Sequence, residues 1–200
     1  IISDMGNGPD LNTFRFWMFL AGYSLGILIW INSGFASNDL SREHSSFYLF
    51  QTLPINPRSH YRARFLTNFL ASSIFSLILS IIAAIALKTE IIGALAFFIG
   101  QELAIILATN MGLYMGSKNI KTNWNKPEEL SKSGIQGAIF YFAGLIYVAI
   151  IILLYIFVTN EYGQRYNILA SIIDLIIIFA TIIPFRQLAI KAYKKGFYDI

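Results

Sequence analysis

The chain has 200 residues, 56% of them hydrophobic, 16% aromatic and only 13% charged, against roughly 25% charged in an ordinary soluble domain. With a mean hydropathy of +0.60 it has too little charge to cover a globule, so lipid or another protein must do so, and an integral membrane protein is expected. The absence of cysteine excludes disulfides, thiolate metal centres and cysteine nucleophiles, and the net charge of +4 first reports which loops face the cytoplasm.

The opening stretch, Ser3 to Asn12 (SDMGNGPDLN), is polar and turn-rich and lacks the basic and apolar regions of a signal peptide. It reads as the middle of a loop, so a piece of a longer chain is expected. Beyond it, apolar runs long enough to cross a bilayer, which takes about 20 helical residues, lie near 14–35, 66–87, 91–116, 138–158 and 166–188. All five are apolar around the whole circumference, as helices facing lipid on one side and helices on the other require. The alternation of a β-barrel is missing. The expected fold is an all-α polytopic membrane bundle of about five transmembrane helices, a single domain over 1–200 with short amphipathic cytoplasmic helices.

Lysine and arginine set the orientation. The segment 36–65 carries Arg42, Arg58, Arg62 and Arg64; the segment 117–137 carries Lys118, Lys121, Lys126 and Lys132; the tail carries Arg186, Lys191, Lys194 and Lys195, so 12 of the 15 cations fall on one side. The expected topology has the N-terminus of this piece outside, loops 36–65 and 117–137 inside, a cytoplasmic C-terminus, and a multi-pass location in the cell membrane.

Within the first inside loop, Ser41 suits a helix cap and Glu43 the first turn, where the helix dipole favours an anion. Phe47, Leu49, Phe50 and Leu53 supply an apolar side, and Pro54 and Pro57 close the element. In the second loop Pro127, Glu128 and Glu129 suit the start of another short helix. Glycine pairs at Gly22/Gly26 and Gly112/Gly116 have the small-xxx-small spacing of closely packed membrane helices.

Two carboxylates interrupt apolar spans, Glu102 and Asp174; with Asn110 they are the intramembrane polar candidates, for a substrate pathway or for bonds between helices. The chain has no phosphate cradle, Gly-x-Ser-x-Gly, His-Glu-x-x-His or paired-carboxylate arrangement. No catalytic, metal-ligating or nucleic-acid-binding residue is assigned. His44 and His60 stand 16 residues apart without a ligand cluster.

The text REHSSFYLFQTLP at Arg42 to Pro54 resembles the cytoplasmic signature of type-2 permeases of ATP-binding cassette exporters, matching at Arg42, Glu43, Leu53, Pro54 and Ile55. The basic, aromatic RSHYRARFLTNF from Arg58 and GSKNIKTNWNKPEE from Gly116 are similar to later parts of such permeases. Ser45 and Ser46 depart from the Gly-Thr of the family, and Arg64 from its common Lys. The resemblance covers roughly residues 36–137 by motif and implies a permease, or the C-terminal part of a longer one, whose energy-coupling loop of Arg42, Glu43, Phe47, Phe50, Leu53 and Pro54 rests on a separate ATPase subunit. It also implies Mg-ATP on that partner with no cofactor in this chain, and a second permease half or a homodimer across the transport path. A non-transporting membrane scaffold subunit is the alternative, and a lipid-processing enzyme ranks last for want of a polar catalytic cluster.

Overall fold

The computed structural model describes residues 11–32, 36–46, 56–118, 120, 125, 135–162 and 167–198, and its regular structure there is helical throughout, without strands. Helix α1 is Leu11–Asn32, α2 is Pro57–Leu87, α3 is Ile91–Lys118, α4 is Ile135–Tyr162 and α5 is Asn167–Tyr198, with a single 3-10 element at Ser41–Ser46. Four of them, α1, α2, α3 and α5, are long and apolar enough to cross a membrane, and α4 carries an apolar stretch at Phe142–Val158. Leu70, Ile74, Ile78, Ile81 and Ile85 of α2 stand exposed. Water would penalise such a continuous apolar face and lipid does not. The chain is a multi-pass membrane helix bundle.

Local chemistry explains where α2 and α3 begin and end. Asn56 caps α2, its side chain accepting a hydrogen bond from the Arg58 backbone N–H at 3.0 Å, and Pro57 occupies the first turn, where a missing N–H is harmless. Pro57 therefore opens a helix, where its sequence context suggested the end of one, and α2 starts nine residues before its apolar run, 57 against 66. At the other end Lys88 adopts the left-handed conformation (φ 49°) and Thr89 N–H bonds back to Ala84 C=O at 3.2 Å, a Schellman closure without glycine. The α2–α3 turn that follows is tied to the start of α1 by Arg15 and Glu90 at 3.2 Å.

Helix α3 is the centre, packing against α1, α2 and α5, while α4 packs against α1 and α5. The α1–α3 contact is the most extensive and it is a backbone contact. A Cβ on Gly22 would collide with the Phe97 carbonyl, and one on Gly100 with the Phe19 carbonyl. Gly26 lies against Ala104 and Gln101, Gly112 against Ala36, and Gly116 against Ser37. In lipid, where apolar burial gives little drive for association, this approach allows the dispersion contacts that hold helices together. The main core joins Leu20, Tyr23, Ile27, Ala104 and Leu107 to Ile151, Tyr155 and Ile178; a smaller one gathers Ala36, Leu40, Tyr61, Leu113, Ala189 and Tyr193 at the Arg64 end of the bundle.

Candidate functional site

The smaller core is capped by polar side chains from four parts of the chain. The segment 36–43 descends from α1 along the end of α3, with Ala36 and Ser37 against Gly112 and Gly116, and turns into the 3-10 element with Glu43 in its first turn. That turn is closed by Arg42 N–H to Asn38 C=O at 3.0 Å and Glu43 N–H to Leu40 C=O at 3.3 Å. It presents Asp39 and Glu43 to the start of α2.

Arg64 meets both. Its guanidinium pairs with Asp39 at 3.4 Å and donates to Glu43, and all three side chains are largely buried, at 18%, 14% and 21% exposure. One turn on, Asn68 donates to the Arg64 carbonyl at 2.9 Å. Burial pushes the Asp39 carboxyl above its ordinary range, and Arg64, Asn68 and Arg42 draw it part of the way back. Where water is scarce such a three-cornered charge arrangement is stiff, because any separation exposes an unpaired buried charge.

Beside it Tyr61 donates its hydroxyl to Asn110 of α3, whose amide donates in turn to the Ile106 carbonyl at 2.7 Å. Tyr193 of α5, fully buried, packs its ring against those of Tyr61 at 5.7 Å and His60 at 5.9 Å. The helices α2, α3 and α5 thus converge with the segment after α1 on one polar cluster.

Of the sequence candidates, Glu43 and Asn110 enter this cluster directly, and Arg42 is exposed beside it, within electrostatic reach of Asp39. Phe47, Phe50, Leu53 and Pro54, and the second-loop residues Pro127, Glu128 and Glu129, lie outside the described residues. Glu102 does not join the cluster: it accepts from Ser73 of α2 at 2.7 Å, next to Gln101, which accepts from Ser76 at 2.7 Å. Asp174 is elsewhere again, buried on α5.

Asp39, Tyr61, Asn68 and Tyr193 were not singled out from the sequence, and Arg64 figured there as a basic flank and as a departure from the common Lys of the resembling family. A signal existed for one part: Asn68, Ser72, Ser76 and Ser80 recur every four residues and all are buried, a polar stripe along one helix face. Nothing comparable marks Asp39 or Tyr193, whose roles depend on contacts distant in sequence.

The chain matches no protein-family description, no curated protein and no solved structure.

Proposed function

We propose that the chain is the membrane-spanning permease part of a type-2 ATP-binding cassette exporter, moving its substrate across the cell membrane with energy from a separate ATPase subunit. The cation-rich end of the bundle is then cytoplasmic, and the loop 36–65 is the coupling element. The observation that carries this reading is the clasp of Arg64 on Asp39 and Glu43. A partner that hydrolyses ATP can drive a permease only if the element it pushes resists deformation and is joined to a membrane helix. The clasp joins the segment holding Arg42 and Glu43 to the first turns of α2, and through Tyr61, Asn110 and Tyr193 to α3 and α5. The motif resemblance at Arg42 to Pro54 adds the nature of the partner, and a second half or a second copy completes the transport path.

The test is affinity purification of the full-length protein in mild detergent, with mass spectrometry and an ATPase assay, comparing wild type with Arg42→Glu combined with Pro54→Ala. Co-purification of a nucleotide-binding subunit that the double variant releases supports the reading. A stable set of partners without an ATPase, indifferent to the substitutions, overturns it in favour of a scaffold subunit.

A further inference from the structure

Asp174 occupies the third turn of α5, on the face shared with Ala170 and Ile178, and all three are 0% exposed. Among the described residues neither carboxylate oxygen has a hydrogen-bond partner. The titratable group that reaches it is Tyr155 of α4, itself 1% exposed and within electrostatic range, with Phe16 and Trp17 of α1 closed over the Tyr155 ring at 4.9 and 5.1 Å. From α2 and α3, which also pack on α5, no charged or titratable group acts on Asp174 among the described residues.

Among the described residues an ion in this position would lack both water and a counter-charge, a combination that membrane interiors do not sustain. A metal ion needs several donors, and among the described residues no group of three His, Asp or Glu side chains stands with Asp174 to supply them. A proton removes the larger part of the cost, because the carboxyl then carries no charge.

We propose that Asp174 is an intramembrane proton-binding site at the α4–α5 interface, held as the neutral acid while these helices are packed and ionised only when they part. The inference does not depend on the transport reading: it follows from the burial of Asp174 and its want of a partner among the described residues, and holds equally for a scaffold subunit.

Infrared spectroscopy of the full-length protein in lipid vesicles tests it, reading the carbonyl band of a neutral carboxylic acid in wild type, Asp174→Asn and Glu102→Gln. At about pH 7 an ordinary carboxyl is ionised by about a thousandfold over its acid form, so it contributes no such band. The expected result is a neutral-acid band at that pH that Asp174→Asn abolishes and Glu102→Gln leaves in place. When alkali removes the band, amide hydrogen exchange should rise in α4 and α5 and not in the α1–α3 contact. A band absent in wild type, or unchanged by Asp174→Asn, overturns the site; should that variant fail to fold, absence of the band in wild type is sufficient. Ionisation with no change in exchange overturns the link to helix separation.

Discussion

Tyr61, in the second turn of α2, gives its hydroxyl hydrogen to Asn110, near the end of α3, and so joins two helices 49 positions apart in sequence. Both residues are buried, at 3% and 0% exposure, so the bond has no ready substitute from water. Tyr61→Phe leaves the Asn110 carbonyl unsatisfied and should destabilise the bundle by about 1 kcal/mol. Asn110→Leu combined with Tyr61→Phe should recover part of that loss, because both polar partners are then gone. Unfolding of the reconstituted protein in denaturing detergent measures both, and equal stability of wild type and Tyr61→Phe would falsify the coupling.

The Arg64 clasp carries a pH dependence with a definite sign. An acid whose native pKa is raised, as burial raises that of Asp39, binds its proton more tightly folded than unfolded. Its favourable term is complete below about pH 3.9 and is lost as the pH climbs through the native value. Arg64→Met removes the guanidinium that opposes the shift, so Asp39 moves further up and the loss grows. Relative to wild type, the stability of Arg64→Met should fall by about 1–3 kcal/mol more between pH 4 and 7. Adding Asp39→Asn should cancel most of the extra slope; thermal melts at several pH values decide, and parallel slopes for wild type and Arg64→Met reject the account.

The α1–α3 contact separates tight glycines from a loose one. Gly22→Ala and Gly100→Ala place a methyl group against backbone carbonyls of the partner helix, whereas a Cβ on Gly93 finds its nearest neighbour, the Phe14 ring, at 3.7 Å. Alanine improves helix propensity by about 1 kcal/mol at any of the three, so clash alone decides the sign. The first two variants should lose about 1–3 kcal/mol and Gly93→Ala should be neutral or slightly stabilised. Comparable melting of all three would show that α1 and α3 are not in backbone contact.

Lys88 closes α2 with φ at 49°, a conformation costing an L side chain about 1 kcal/mol that glycine avoids. Lys88→Gly should raise the melting temperature, by an amount set by about 0.5–1 kcal/mol less the entropy glycine adds to the unfolded chain. A lowered melting temperature would mean that the lysine side chain contributes more than its backbone strain removes.

The existence of all five helices was legible in the chain, because an apolar run of sufficient length has no other way to satisfy its backbone in lipid. Their ends were less so. The run that begins at Leu66 says nothing of the cap at Asn56, and α5 continues through Pro184 to Tyr198, past the apolar run that ends near 188. Within the clasp, Glu43 and Asn110 were singled out from sequence, one by its place in a helical first turn and the other by its polarity within a span. Arg64 was visible as a charge at a membrane boundary and a departure from a common Lys, without its partners, and Asp39 and Tyr193 not at all.

Composition and hydropathy by themselves determined the solvent of this protein and the five long apolar helices of its described residues, since each is a sum over local residues and needs no knowledge of neighbours. The tertiary structure alone decided that Arg64 holds Asp39 and Glu43, that Tyr61 finds Asn110, and that Glu102 has a serine partner while Asp174 is left without one among the described residues. Those outcomes depend on how far each helix is rotated about its axis and how closely glycines let two axes approach. A rotation of one residue, about 100°, changes every partner while leaving the hydropathy of the helix untouched.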